Sequence, residues 1–255
     1  MRKDEHRQRE SIPTRHHAGR ITLGCAAIRA ASDWMRVMSF EAVLFDFSDT
    51  LFWRDGAERL AVLLAERDAV LDTTVLSRVW AEVKRESVTP NELAKRRDAS
   101  AEAHRRCWLD LLRPFERFHP GAAEAIYLDQ PNPAGWHPFD DTLEVLGTLS
   151  ARNVPIGVIS DIGWDLRPIF EHFGADVFVK TWVLSYEHGT EKPDPYLFEL
   201  GCHGLGSAPG RTLMVGDSVE KDAGAARAGL TALTLPVHSG TGERGLRNAL
   251  KLTDA

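Results

Sequence analysis

Three polar residues that could take part in catalysis each follow a short, mostly apolar run of the sequence. They are Asp46, Ser160 and Asp217. Continuous apolar runs of this length are typical of strands that are buried on both faces of a parallel sheet. Because the carboxyl ends of parallel strands meet at one edge, where such sheets bind ligands, we expect these side chains to lie close together.

A lysine and further acids accompany these residues. Lys192 precedes a proline and a predicted helix, and Asp222 comes shortly after Asp217. With Asp49 and Asp161 included, the predicted edge carries several carboxylates and a single lysine. Such a cluster cannot ionise fully, or admit a phosphate group, without a cation. Oxygen ligands with open positions suit Mg²⁺, so the residues predict a magnesium site that accepts a phosphorylated substrate.

The elements that must position these residues alternate between strand and helix. Strands are predicted at residues 42–45, 155–159, 176–179, 212–215 and 231–235. Amphipathic helices are predicted at residues 142–151, 165–173, 195–201 and 219–228. This alternation predicts an α/β fold with a doubly wound parallel sheet and right-handed crossovers. Asp161 is expected to cap the helix that follows it.

Residues 57–130 break the alternation, because apolar residues recur there at helical spacing and no strand-like run interrupts them. We therefore expect an all-helical cap over residues 56–138, inserted into an α/β core. The core is predicted to comprise residues 38–55 and 139–255. Residues 1–37 are rich in Arg and His and lack periodicity, which predicts a disordered extension.

The composition excludes several classes of protein. The chain has 255 residues, of which 43% are hydrophobic and 27% charged, so it is globular rather than collagen-like or coiled-coil. Its net charge of −6 argues against a nucleic-acid-binding protein. No apolar run approaches the ~18 residues of a membrane helix. Cys25, Cys107 and Cys202 are too scattered for a disulfide framework, which predicts reduced thiols in the cytoplasm.

In their order and placement at strand ends, these motifs resemble the four motifs of the haloacid dehalogenase (HAD) superfamily, in members with a helical cap after the first strand. Four motifs in the right order form a specific signal, and the resemblance covers about residues 41–235. It implies a Rossmann-like core and an aspartyl-phosphate mechanism. In that mechanism Asp46 is the nucleophile, and Ser160 and Lys192 hold the transferring oxygens.

The resemblance also implies a set of ligands for Mg²⁺. They are Asp46, the backbone carbonyl of Ser48, and Asp217, with Asp222 close by. A cation in this position would offset the repulsion between the Asp46 carboxylate and an incoming phosphoryl group.

The sequence departs from the family pattern at Ser48. Phosphatases of the superfamily usually carry a second Asp there, which protonates the leaving oxygen and then activates water. We expect either that water, Ser48 or a substrate group replaces this acid, or that Asp49 does so. Adjacent side chains in an extended turn point to different sides, which argues against Asp49.

The function expected from these residues is that of a Mg²⁺-dependent hydrolase, acting as a phosphatase on a small phosphorylated metabolite. Two alternatives stay open. One is a regulatory module that binds a phosphorylated metabolite or a partner protein without hydrolysis. The other is a dehalogenase or phosphonatase type of hydrolase. Neither the substrate nor the oligomeric state can be read from the sequence.

Overall fold

A five-stranded parallel sheet forms the centre of the molecule. The computed structural model describes residues 40–236 and 242–253, so the predicted extension 1–37 and Cys25 lie outside the described residues. The sheet has the strand order β5-β4-β1-β6-β7. Its strands are β1 (Ala42–Phe45), β4 (Ile156–Ser160), β5 (Val179–Leu184), β6 (Thr212–Gly216) and β7 (Thr231–Thr234). The α/β fold with a doubly wound parallel sheet is thereby confirmed.

Strand β1 lies in the middle of the sheet and is buried throughout. Because side chains alternate along a strand, Val43 and Phe45 enter the apolar cluster on one face of the sheet. Ala42 and Leu44 enter the cluster on the other face. Burial on both faces explains why this strand reads as a continuous apolar run.

Helices cover both faces of the sheet. Those of the core are α6 (Thr142–Ala151), α7 (Arg167–His172), α8 (Ser185–His188), α9 (Pro195–Leu205), α10 (Val219–Asp222) and α11 (Arg247–Thr253). A 3-10 helix, Ala223–Ala228, continues α10. The predicted helix at residues 142–151 has the observed bounds.

Five further helices lie between β1 and β4 along the chain. They are α1 (Ala57–Ala65), α2 (Thr73–Ser87), α3 (Pro90–Leu93), α4 (Ala101–Leu112) and α5 (Ala122–Leu128). We call residues 57–128 the helical insertion. It has an apolar cluster of its own, in which residues such as Leu64, Leu76 and Phe115 are buried. Amphipathic helices can bury their apolar faces against one another in this way without a sheet.

Two short strands flank the helical insertion, and the sequence analysis missed both. Strands β2 (Phe52–Arg54) and β3 (Trp136–Pro138) pair antiparallel and form a separate two-stranded sheet. The region predicted as all-helical, 56–138, therefore ends in a strand. Each strand has only three residues, too few to establish an alternating pattern.

The third strand of the sheet was also predicted in the wrong place. Residues Asp176–Phe178 form a 3-10 helix, and the strand follows at Val179–Leu184. Strand β5 lies at the edge of the sheet and its first four residues are not fully buried, so it lacks the apolar run of the central strands. In the described part of the chain, no helix is both long enough and apolar enough to cross a membrane.

Candidate active site

The Asp46 side chain lies at the carboxyl edge of the sheet, directly after β1. Its backbone N–H donates to the carbonyl of Val215 on β6 at 2.9 Å, which fixes its position between two central strands. The residue is only 7% exposed. The Thr50 hydroxyl donates to Asp46 Oδ2 at 3.4 Å, so the turn after the strand holds the same carboxylate.

Lys192 bridges two of the predicted site carboxylates. Its ammonium group donates to Asp46 Oδ1 at 2.7 Å and to Asp222 Oδ1 at 2.6 Å. Lys192 is 4% exposed, so these charge-assisted hydrogen bonds form almost entirely out of contact with solvent. The lysine lies far from both partners in the sequence, and the fold brings the three residues together.

Asp217 and Asp222 complete a cluster of three carboxylates with Asp46. One oxygen of each lies within 4.8 Å of the others. Asp222 is held by the backbone N–H of Ser218, which donates to its Oδ2 at 2.9 Å. A side chain on Gly216, the last residue of β6, would overlap the Asp222 carboxylate, so this glycine allows the close approach.

The electrostatics of the cluster follow from burial and crowding. Burial raises the pKa of Asp46 to about 7, the carboxylates of Asp222 and Asp217 add to the shift, and Lys192 opposes it. Burial also raises the pKa of Asp217, and Asp222 and Asp49 reinforce the effect. Burial alone would lower the pKa of Lys192, but the carboxylates of Asp222 and Asp46 raise it above its ordinary value, so the ammonium stays charged.

Three carboxylates around one ammonium form a site that suits a divalent cation. The donors are all oxygens, they converge on one region, and their negative charge exceeds what Lys192 neutralises. Hard cations such as Mg²⁺ prefer this donor set and use one or two protein carboxylates together with substrate oxygens.

Ser160 lies at the same edge of the sheet. Val158 pairs with Phe45 in the register of β4 and β1. Ser160, two residues later, therefore lies beside the turn that directly follows Asp46. It is buried. Asp161 does not cap a helix, because α7 begins only at Arg167.

Asp161 instead holds the loop that carries the lysine of the site. Its Oδ1 accepts a hydrogen bond from the backbone N–H of Lys192 at 2.8 Å. Its Oδ2 lies 2.9 Å from the ammonium of Lys221. Sequence reasoning missed Lys221, because a lysine beside the predicted acidic motif reads as a solvated helix residue.

The turn after Asp46 differs from the one assumed from the sequence. Asp49 has a φ of 58°, a left-handed conformation that Asp tolerates better than most residues. The turn is therefore not extended, and Ser48 and Asp49 both border the same cavity. The expectation that Asp49 must point away from the side of Ser48 rested on an extended turn, and it therefore does not hold. The Asp49 carboxylate lies 3.7 Å from the ammonium of Lys84 on α2.

That cavity has a volume of about 220 Å³ and lies between the sheet edge and the helical insertion. Asp161 and Lys221 border it beside Ser48 and Asp49. Five aromatic side chains also line it, together with charged and polar residues such as Arg54 and Arg97: Trp80, Trp108, Trp136, Trp164 and His104. His104 and Trp108 share a face of α4, whereas the other three rings come from separate elements that no sequence signal groups.

His104 is a buried wall residue. It is 2% exposed, and its Nδ1 lies 3.1 Å from the Tyr127 hydroxyl. Burial, reinforced by the charge of Arg97, lowers its pKa to about 3, so the ring is neutral in the folded protein. A side chain on Gly163 would overlap the His104 ring, so helix α4 packs directly against the loop after β4.

Comparisons with known proteins agree with this geometry. The haloacid dehalogenase-like hydrolase family matches residues 40–229. A glyceraldehyde 3-phosphate phosphatase of Methanothermobacter thermautotrophicus is 27% identical over 200 residues, which cover 76% of this chain and 84% of that protein. The bovine haloacid dehalogenase-like hydrolase domain-containing protein 3 is 28% identical over 131 residues, 48% of this chain. The chain matches only 51% of the length of the bovine protein.

Solved structures share the fold. A HAD phosphatase from Thermococcus onnurineus superposes with a TM-score of 0.54 at 20% identity, covering 82% of this chain and 97% of that one. The L-2-haloacid dehalogenase from Xanthobacter autotrophicus gives a TM-score of 0.56 at 21% identity, covering 78% and 79%. Phosphatases and dehalogenases thus share this architecture, and the fold alone does not choose between their reactions. From its sheet, its site and its family match, this chain belongs to the haloacid dehalogenase-like hydrolases.

Proposed function

We propose that the protein is a Mg²⁺-dependent phosphatase that hydrolyses a small phosphate monoester through a phosphorylated Asp46. The observation that carries the proposal is the buried Lys192 ammonium between Asp46 and Asp222, with Asp217 beside them. A cation and an ammonium next to a carboxylate nucleophile create an environment for a dianionic phosphoryl group. The similarity to the glyceraldehyde 3-phosphate phosphatase of Methanothermobacter thermautotrophicus supports this class of reaction.

The residues have distinct roles in this proposal. A carboxylate oxygen of Asp46 attacks phosphorus in line, which forms an acyl phosphate while the bond between phosphorus and the leaving oxygen breaks. Lys192 and Ser160 donate hydrogen bonds to the phosphoryl oxygens. Water then attacks the phosphorus of the acyl phosphate, which releases phosphate and regenerates Asp46.

The metal would be held by Asp46, the backbone carbonyl of Ser48 and Asp217, with Asp222 close by. Bound there, Mg²⁺ supplies positive charge that offsets the repulsion between carboxylate and phosphate. Lys192 remains between Asp46 and Asp222 and keeps the nucleophile oriented.

The proton for the leaving oxygen is the unusual feature of this site. A serine hydroxyl is a far weaker acid than the Asp that phosphatases of the superfamily usually carry at the position of Ser48. Asp49 follows Ser48 directly in the sequence, and it also borders the cavity. Its partner Lys84 is 59% exposed, so this ion pair is open to solvent and weak.

Halide release is the second candidate reaction, because dehalogenases are among the solved structures that share this fold. The carboxylate cluster argues for phosphate instead, because a dianionic phosphoryl group gains more from a divalent cation than a monoanionic haloacid does. A panel of phosphate esters, phosphonates and 2-haloacids, each assayed with Mg²⁺ and with EDTA, separates the reactions. We expect phosphate release that requires Mg²⁺. Halide release that survives EDTA would refute the proposal, and ligand binding without any turnover would favour a regulatory module.

A further inference from the structure

Four tryptophans surround the cavity beside the proposed catalytic residues. Trp80 on α2 and Trp108 on α4 come from the helical insertion. Trp136 on β3 and Trp164 after β4 come from the side of the core. Both sides of the cavity therefore present indole rings. We call this space the tryptophan cavity.

The rings are held in place by their neighbours. The indole N–H of Trp136 donates to the carbonyl of Gln130 at 2.7 Å, and the ring centroid of Trp136 lies 6.1 Å from that of Trp164. The guanidinium of Arg97 lies 5.2 Å from the ring centroid of Trp108. A preformed aromatic wall binds a flat apolar ligand with little loss of side-chain entropy.

The size of the cavity limits the ligand. An apolar cavity of about 150 Å³ is large enough to hold benzene. At about 220 Å³, the tryptophan cavity has room for one six-membered ring and a small substituent.

The cations in the cavity walls lie beside carboxylates. Arg54 pairs with Asp129 at 2.9 Å, and Arg97 lies 3.3 Å from the Asp98 carboxylate. Lys221 pairs with Asp161 at 2.9 Å, and Lys84 faces Asp49 as described above. Each of these four cations thus lies within 4 Å of a carboxylate, and Arg54 shares Asp129 with Arg59. A ligand with a second anionic group would have to compete with these carboxylates for the cations.

From these observations we propose that the tryptophan cavity binds the leaving group of the substrate and selects a single uncharged aromatic ring. The substrate class is then a phosphate monoester of a phenol or of a benzyl-type alcohol. This inference rests on the proposed phosphatase function. Ser48, Asp161 and Lys221, which lie within two residues of Asp46, Ser160 and Asp222 in the sequence, border the cavity, so a ring held there is near the reacting phosphoryl group.

The test compares substrates whose leaving groups have similar basicity. Benzyl phosphate and cyclohexylmethyl phosphate both release a primary alcohol, but only one carries an aromatic ring. The inference predicts that the wild-type full-length protein with Mg²⁺ has a kcat/KM about 3- to 10-fold higher for benzyl phosphate. It also predicts that a carboxylate added to the ring, as in 4-carboxybenzyl phosphate, lowers kcat/KM at least about 10-fold.

Variants connect this preference to the cavity. Trp80→Leu and Trp164→Leu should each reduce the preference for benzyl phosphate over cyclohexylmethyl phosphate. Acetyl phosphate has a good leaving group but no ring. The two Trp→Leu substitutions should therefore lower kcat/KM for acetyl phosphate less than they lower kcat/KM for benzyl phosphate. The control is Trp53→Leu, because Trp53 stacks on His137 in the two-stranded sheet and does not border the cavity. This control should keep the wild-type preference.

The outcomes distinguish the inference from the function on which it rests. Equal kcat/KM for benzyl and cyclohexylmethyl phosphate, with good turnover of both, would overturn the inference while the phosphatase function stands. A preference that survives both Trp variants, or one that Trp53→Leu abolishes equally, would also overturn it. Failure to hydrolyse any of these compounds, acetyl phosphate included, would refute the phosphatase function as well.

Discussion

At the scale of single residues, the site depends on a carboxylate that is costly to bury. Asp46 lies out of solvent with two other acids nearby, and Lys192 is the ammonium that stabilises it. Burying three carboxylates beside a single ammonium leaves negative charge without a partner, which costs free energy. The arrangement therefore serves reactivity more than stability, which leads to two predictions about neighbouring positions.

The first concerns Asp46→Asn. The amide has nearly the same shape but is a poor nucleophile, so turnover should fall by about 10⁴-fold or more. Lys192 keeps its hydrogen bond to Asp222, and a buried carboxylate is replaced by a neutral group, so the thermal midpoint should stay within a few degrees of wild type. Steady-state kinetics and thermal unfolding of the same preparation check both expectations. Wild-type rates in pure mutant protein would show that Asp46 is not the nucleophile.

The second concerns Ser48→Asp. General acid catalysis contributes roughly 10²–10⁴-fold, and it matters most when the leaving group is a basic alkoxide. The substitution should therefore raise kcat/KM for alkyl phosphates more than for aryl phosphates, and it should shorten the life of the phosphorylated enzyme.

The measurement for Ser48→Asp is the ratio of alkyl to aryl kcat/KM in the variant and in wild type. An unchanged ratio would mean that another group already supplies the proton. Asp49→Asn is the matched variant for that case, since Asp49 borders the same cavity. If Asp49 is the acid, this variant should slow alkyl esters selectively.

At the scale of elements, the contact between helix α4 and the loop after β4 determines how the helical insertion meets the sheet. Gly163 and His104 form this contact, and a Cβ on Gly163 would overlap the imidazole. Since His104 is buried and fixed by its contact with Tyr127, it has little room to move. The contact closes one side of the tryptophan cavity.

Gly163→Ala should therefore destabilise the protein by about 1–3 kcal/mol, the usual cost of overpacking. Gly147→Ala is the control, because it lies within helix α6 and its nearest neighbour would be Phe178 at 3.8 Å. Alanine is the better helix former, so the control should be neutral or slightly stabilising. Urea unfolding of both variants measures the difference. Equal stabilities would show that α4 can move away from the loop at no cost.

The sequence predicts some elements much better than others, for physical reasons. Strands β1, β4 and β6 are buried on both faces, so their apolar runs are unambiguous. The edge strand β5 and the short strands β2 and β3 carry no such pattern and were misplaced or missed.

The candidate site likewise has residues that the sequence predicts and contacts that it does not. Asp46 and Asp217 could be predicted because each follows a strand, and Lys192 because it precedes a helix, whereas Asp222 was found by its short spacing from Asp217. The pairing of Asp161 with Lys221, and the meeting of four tryptophans, depend on how separate elements pack. Spacing within the sequence does not encode contacts of that kind.

At the scale of the whole molecule, His104 couples stability to pH. The folded protein keeps this ring neutral down to a pKa of about 3, whereas the ordinary value is 6.5. Between these values the unfolded chain binds a proton that the folded chain does not. The free energy of unfolding therefore falls as pH drops through this window, and the effect is absent above about pH 6.5.

His104→Gln removes the titrating group and keeps a polar side chain near Tyr127. Between pH 7.5 and pH 5, wild type should lose about 2 kcal/mol more stability than this variant. Urea unfolding at the two pH values gives the comparison, and the exposed His203→Gln serves as a control that should follow wild type. If wild type and His104→Gln lose stability in parallel, the imidazole accepts its proton in the folded state.

The central claim is that Asp46 becomes phosphorylated, and trapping the phosphoenzyme tests it most directly. The protein is mixed with phenyl phosphate and Mg²⁺, quenched in acid within one turnover, and reduced with borohydride, which converts an aspartyl phosphate to homoserine. Peptide mass analysis then locates the modified residue. The account predicts homoserine at position 46 in wild type, none in the presence of EDTA and none in Asp46→Asn. Phosphate release with position 46 unmodified, or modification at another residue, would contradict it.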